Sequence, residues 1–478
     1  MDILMVAAEL SPYACATDAA DAVAALAKSL RQLGHDVTLA LPRYPGFEAA
    51  GMLLARRLTP LQLPGGGEVA VYDGQLASGA ALVLFDAPVL FERASIFGEG
   101  GKDYPDNAKR FGLLCSAVAA LVHQRVLEGR AFDILHLHDW PAAMLPAALK
   151  RLGGPEIPSV LTIHDGSLQG SFPTRQLEAL GIAKEESDRF KVGTRVNALA
   201  GGIGMVDAVT TVSAAYLDQL MDPGEGGVLA ERLRQLQTPP VGIVNGIDYS
   251  HWNPATDTLI PSRYDAEDAS NKGRCKTDLL RSLELELDPA LPLVVCVAPP
   301  TKEAGMDIVA AGLTHMLKND LSIAILCTEP GRSGIVRRIQ AAQKRAPEHC
   351  ALVENADEAL VHKAYAAADI VVVPHRHVPC GQSQRIAMRY GAAPVVHGVG
   401  GLQDTVVDCD AELETGTGFV FDAADSSSLM GALARALAAY GSAGWPKLRR
   451  RIMRQDLGWD RPSRRYLQVY RKTLGARA

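Results

Sequence analysis

The chain has 478 residues, about three times a typical domain, so two or three hydrophobic cores are expected and a small stapled module is excluded. Hydrophobic residues make up 48% and charged residues 21%, with mean hydropathy +0.05, which excludes disordered and collagen-like classes. The formal net charge is −6 and there is no long Lys/Arg run, so neither nucleic acid nor an anionic membrane is an expected partner. Small molecules or neutral polymers fit better.

The first residues are apolar, lack a basic leader and are interrupted by Glu9; they read as a buried strand rather than a signal segment. No window approaches an uncharged span of ~20 residues. Short β-rich apolar runs follow between helical stretches, at 3–8, 36–40, 81–85, 133–138, 159–164 and 208–212, then at 292–297, 322–327, 370–374 and 394–397. Runs apolar on both faces, alternating with helices, predict parallel sheets in an α/β architecture. Between the halves, 238–263 carries Pro239, Pro240, Pro254 and Pro261 and reads as an interdomain crossover. The alanine-rich 432–443 stretch reads as a packed helix. Eight cysteines are spread out without a CxxC pair, which suits a reduced, cytoplasmic protein.

Parallel sheets bind ligands at the carboxyl ends of their strands, and here those ends are polar. Glu9 follows the first run, His136, His138 and Asp139 close the 133–138 run, and His164 closes the next. In the second half His375, Arg376 and His377 follow 370–374, and Gly398, Gly400 and Gly401 follow 394–397. Two such edges facing each other across a cleft would form one active site. His136 and His138 alternate on a strand and share a face, with Asp139 and Trp140 beginning a loop. A metal centre of the HxHxDH type needs two further ligands that are absent, so no metal is expected; a buried hydrogen-bonded cluster lining a cleft, or direct contact with a sugar, are the two readings. Asp106 or Asn107 is placed at the N-cap of a helix. The glycine turns at Gly400-Gly401 and Gly416-Thr417-Gly418 could bring backbone N–H groups to a phosphate. No GxxxxGK[ST] loop occurs.

Taken in order, Ala7-Ala8-Glu9-Leu10-Ser11-Pro12-Tyr13, Asp21, Tyr104-Pro105-Asp106-Asn107, His136-Leu137-His138-Asp139-Trp140, Thr162-Ile163-His164 and Val244-Asn245-Gly246-Ile247-Asp248, with Trp252-Asn253-Pro254, resemble bacterial glycogen synthase and plant starch synthase. The likeness continues through Pro379-Cys380-Gly381, Arg389-Tyr390-Gly391 and Gly400-Gly401-Leu402. It implies a GT-B fold of two Rossmann-like domains, 1–250 on the acceptor side and 251–459 on the nucleotide-sugar side, with a C-terminal helix at about 460–478 returning to the first. It also implies retaining transfer of glucose from ADP-glucose, a donor substrate rather than a cofactor, to an α-1,4-glucan without metal.

By that resemblance His164 is a catalytic position, Glu9, Asp21, Tyr104, His138 and Asp139 are substrate-side, and Cys380, Gly381 and Ser383 are nucleotide-side. Four family positions are substituted. The lysine of the Lys-Thr-Gly-Gly loop falls on Cys15, the arginine and lysine after the first strand of the second domain on Pro299 and Ala304, and the glutamate before Pro-Cys-Gly on Val378. Catalysis in this chemistry depends on cations that meet the departing diphosphate, and Lys302, Arg376 and Arg385 are the possible substitutes. The expectation is a catalytically impaired paralogue of α-glucan metabolism that keeps glucan binding or a regulatory role, with glycogen or a maltooligosaccharide, and possibly a catalytic synthase or another protein, as partner. The alternative is an active glycogen synthase with relocated cations.

Overall fold

The computed structural model describes residues 1–64, 66–329 and 334–476. They form two compact units, Met1–Gly246 joined by the segment from Trp459 onward, and Ile247–Gly458.

In the first unit the strand Asp2–Val6 lies between Ile134–His138 and Asp36–Pro42, parallel to both. Ser159–Ile163, Ala208–Thr211 and Val241–Gly242 extend the sheet on the Ile134–His138 side, and Ala81–Asp86 extends it on the other. The register sets Ile3 opposite Ile134 and Val37, and all three are buried. The order of strands reverses beside Asp2–Val6, which makes the gap between it and Ile134–His138 the topological switch point where such sheets bind ligands.

Glu68–Gln75, which the sequence does not single out, adds antiparallel to Ala81–Asp86. It is a half-polar edge strand, with Val69 and Val71 buried and Glu68 and Gln75 exposed. The helices Ala19–Gln32 and Asp460–Gly475 pack together, with Ser29 Oγ 2.8 Å from Ser463 Oγ. Asn107–Leu127 is by length and composition apolar enough to cross a membrane, but Lys109, Arg110 and Arg125 keep its uncharged stretch short of the expected ~20 residues, and 61% of its most apolar window is buried within the fold.

The second unit carries a parallel sheet in the order Cys350–Val353, Ser322–Cys327, Leu293–Ala298, Ile370–Val373, Ala393–His397 and Phe419–Phe421. Its central strand Leu293–Ala298 is buried on both faces. Val294, Cys296 and Ala298 enter one core with Leu429, Leu433 and Ala436 of the helix Ser426–Tyr440, while Leu293, Val295 and Val297 enter a second with Cys275, Leu279 and Ala364. Helices on both faces of a parallel sheet make the α/β/α sandwich that the continuous apolar runs require. The order reverses between Leu293–Ala298 and Ile370–Val373, so this unit too has one switch point.

Candidate functional site

At the switch point of the first unit, Ile134–His138 delivers His136 and His138 with ring centroids 4.1 Å apart. His136 is held from two directions: one nitrogen, Nε2, lies 2.6 Å from Thr162 Oγ1, and the other, Nδ1, lies 2.7 Å from Tyr470 Oη on the C-terminal helix. His138 Nδ1 lies 2.9 Å from His164 Nε2. Its Nε2 is buried with no hydrogen-bond partner among the described residues. Burial pushes His136 down to about 3 and His164 down to about 4, and His138 well below the ordinary imidazole value, so the cluster is neutral at pH 7. Neutral imidazoles can both donate to and accept from a hydroxyl.

Asp139 begins the short helix Asp139–Ala142 rather than a loop, and does so at φ 55°. Aspartate is among the few side chains that tolerate this left-handed conformation. Its carboxylate accepts from the His164 N–H at 2.7 Å and the Asp165 N–H at 3.4 Å, tying the ends of two neighbouring strands together. Burial raises its pKa well above the usual carboxylate range, against those two bonds.

Glu9 closes the same edge. One carboxylate oxygen accepts the Ala16 and Thr17 N–H groups at 2.7 Å each, and the other accepts the Thr17 hydroxyl at 3.0 Å. Burial pushes Glu9 up to about 7 despite these bonds. The loop through Cys15, which is exposed, is thus folded back on an internal carboxylate. Glu9, His138, Asp139, Trp140 and Phe97 line a shared cavity. Asp21 lies outside this group, exposed in the first turn of Ala19–Gln32.

Tyr104 sits within cation–π range of Arg93, at 4.6 Å, and Arg110, at 5.2 Å. Asp106 occupies the N-cap of Asn107–Leu127 without capping it; its carboxylate instead takes a two-pronged pair from Arg93 at 2.9 and 2.6 Å. Asn107 accepts from the buried Arg110 at 2.7 Å. The sequence signalled the helix entry but not the guanidinium pair around Tyr104, because Arg93 reaches it from a separate segment.

In the second unit, Pro299 follows the strand Leu293–Ala298, and Ala304 is buried in one core. Val378 is buried in the other. Arg376 is spent on Asp307, at 2.6 and 3.0 Å. Arg385 is buried and donates to the Gly381 carbonyl, through Nε at 2.9 Å and also through Nη2. Lys302 is exposed. Cys380 is buried, Gly381 takes φ 72°, and Ser383 starts the helix Ser383–Arg389.

The glycine turns approach their own chain. A Cβ on Gly401 would lie 2.2 Å from the Cys380 carbonyl oxygen, and one on Gly416 would lie 2.4 Å from Cys409 Cα. The N–H groups of Gly398, Gly401, Thr417 and Gly418 are bonded to Phe421, Val378 and Val407 carbonyls. These turns therefore serve backbone packing, and those four N–H groups are not directed at a phosphate.

Residues 2–235 match the family model described as the starch synthase catalytic domain. A glycogen synthase 2 of Geobacter metallireducens is 34% identical over 98% of this chain and 98% of its own. The chain belongs to the glycogen/starch synthase family. A glycogen synthase of Thioalkalivibrio sulfidiphilus is 35% identical over 98% of this chain and 99% of its own. The catalytic domain of starch synthase IV from Arabidopsis thaliana, solved bound to ADP and acarbose, superposes with TM-score 0.88 at 28% identity, covering 99% of each chain. A sucrose-phosphate synthase from Thermosynechococcus elongatus shares the fold at TM-score 0.62 and 16% identity, again over 99% of each chain. The fold is GT-B, with two Rossmann-like units. Of the four positions singled out in the sequence, Cys15 carries a thiol, Pro299 is a proline directly after a strand, and Ala304 and Val378 are core aliphatics.

Proposed function

We propose that this glycogen/starch synthase-like protein of α-glucan metabolism binds glucan through its first unit and is impaired in glucosyl transfer from ADP-glucose. The observation that carries the reading is that Ala304 and Val378, at the family's lysine and glutamate positions, are only 3% and 7% exposed and belong to hydrophobic cores. A charged side chain has been exchanged for core packing at both. Arg376 and Arg385 do not offer a ready replacement, because one is paired with Asp307 and the other is buried on a carbonyl. Beside Cys15, two N–H groups that could meet an anion already meet the Glu9 carboxylate.

Losing one transition-state donor costs roughly 3 kcal/mol, or ~10²–10³ in rate, so several losses together reach ~10⁵ or more even without additivity. Glucan binding has different needs. His138, which has a buried ring nitrogen without a hydrogen-bond partner among the described residues, lines the same small cavity as Glu9 and Asp139, and hydroxyls bind such neutral groups without ion pairs.

The test is incorporation of glucose from ADP-glucose into a glucan primer, alongside calorimetric titration with ADP. Incorporation near background and ADP binding weaker than micromolar are expected. Robust incorporation with micromolar ADP binding would favour the second reading, an active synthase. The exposed Lys302, two residues from Ala304, is the observation in favour of that reading, and Lys302→Ala would then abolish turnover.

A further inference from the structure

A second cluster lies in the Ile247–Gly458 unit, on elements that the glucan and nucleotide readings do not use. The helix Glu358–Ala367 begins with Glu358 and carries His362 one turn later. Residues four apart on a helix share a face. His251 comes from the crossover segment. Its Nε2 lies 3.3 Å from His362 Nε2 and 3.0 Å from a Glu358 carboxylate oxygen. One ligand atom from each of the three lies within 4.8 Å of those of the other two.

His362 is held in a fixed orientation. His362 Nδ1 lies 2.7 Å from Asp257 Oδ2. That carboxylate also accepts the Tyr390 hydroxyl at 2.6 Å and the Leu259 N–H at 2.8 Å. With Nδ1 directed at this carboxylate, the other ring nitrogen, Nε2, faces His251. Trp252 stacks on the His362 ring at 4.0 Å between centroids and fixes its plane. His251 Nε2 faces the His362 ring nitrogen on one side and the Glu358 carboxylate on the other. Two ring nitrogens and a carboxylate oxygen thus lie within 4.8 Å of one another, an arrangement that a cation can bridge.

The spacing of the two imidazoles agrees with a cation, and Glu358, whose side chain is 64% exposed, has room to turn onto the same ion. Two nitrogens each about 2.0–2.1 Å from a tetrahedral ion lie about 3.3–3.4 Å apart, and the two Nε2 atoms are 3.3 Å apart. Asp257 stands where an outer carboxylate orients a metal-bound imidazole. The geometry points to a divalent transition-metal site formed by His251, Glu358 and His362, with zinc as the ion that fits and water completing the coordination. His362 is buried, while His251 and Glu358 are 45% and 64% exposed, so the fourth position opens to solvent. An ion there would clamp the crossover segment to the helix. Two imidazoles and one carboxylate favour zinc, nickel or copper over magnesium.

The test uses the full-length protein stripped with a chelator and titrated calorimetrically with zinc chloride. One equivalent is expected to bind, His251→Ala to weaken binding at least ~100-fold, and Glu358→Gln to weaken it ~10–100-fold. Both substitutions are at exposed positions, and circular dichroism confirms that each variant is folded. Cobalt(II) added to the stripped protein should give the intense visible absorption of a tetrahedral site, lost in His251→Ala, and zinc should raise the thermal midpoint of the wild type alone. Absence of stoichiometric binding, or binding unchanged in His251→Ala, would overturn the site. The outcome is independent of transfer activity.

Discussion

Glu9 shows how one buried carboxylate sets a measurable property. Its pKa is pushed up to about 7 from 4.5, with burial as the main cause. Between those two values the native state holds a proton that the unfolded chain releases, so stability falls as pH rises through the window and the loss is complete above about pH 7. The shift corresponds to roughly 3 kcal/mol. Glu9→Gln keeps an oxygen for the Ala16 and Thr17 N–H groups and removes the charge. It is expected to be more stable than wild type by about 1–3 kcal/mol at pH 8 and equal to it near pH 4, read as urea midpoints. Equal midpoints at pH 8 would contradict this account. The histidines have the opposite sign: His136, His138 and His164 are held neutral by burial, so stability is present above about pH 6.5 and is lost as pH falls toward 4. That acid loss should persist in Glu9→Gln. Ala304 gives another residue-scale expectation. Because it is packed in a core, Ala304→Lys should cost about 1–3 kcal/mol by overpacking, and Pro299→Arg with Ala304→Lys should not restore synthase turnover while Val378 lacks a carboxylate.

At the scale of elements, the C-terminal helix makes a polar contact with the central sheet, Tyr470 Oη to His136 Nδ1. Both groups are buried, so Tyr470→Phe leaves a ring nitrogen unpaired at a cost of about 1–3 kcal/mol, to be read as a lowered urea midpoint with glucan binding retained. In the second unit Lys276 Nζ lies 2.7 Å from Asp369 Oδ2, both side chains being 5% exposed. Breaking this pair with Asp369→Ala should cost about 3–5 kcal/mol, and adding Lys276→Met should recover part of the loss, a non-additivity that a double-mutant cycle would detect. The strands legible in the sequence were those buried on both faces, such as Ser322–Cys327, whose six residues are all buried. Glu68–Gln75 and Phe419–Phe421 were not legible: the first is a half-polar edge and the second has three residues, too few for a period to register. The site divides the same way. Polar residues at strand ends marked the His138, Asp139 and Glu9 group, but their bonds join segments up to 26 residues apart along the chain, and the Arg93–Tyr104 contact and the His251–Glu358–His362 cluster depend on tertiary placement that no local pattern encodes.

For the whole molecule, the net charge of −6 acts differently on the two classes of ligand. An anionic diphosphate approaches a protein of its own sign, and under the proposed reading it lacks the cations that would otherwise meet it. Its binding would depend on the few charge-assisted contacts left and would weaken further with added salt. A linear α-glucan carries no charge. Its hydroxyls need donors and acceptors at fixed places and an apolar face, and His138, Asp139 and Trp140 bring groups of both kinds together at the strand ends of the first unit. Glucan affinity is therefore expected to be modest and nearly unchanged from low to high salt, as judged by retardation in glycogen-containing gels and by titration with maltoheptaose. His138→Ala should abolish the retardation while leaving the protein folded by circular dichroism. A strong fall in affinity with salt would mean that the ligand is held by charge after all. Absence of both retardation and heat in folded wild-type protein would show that the neutral cluster at the switch point serves packing alone.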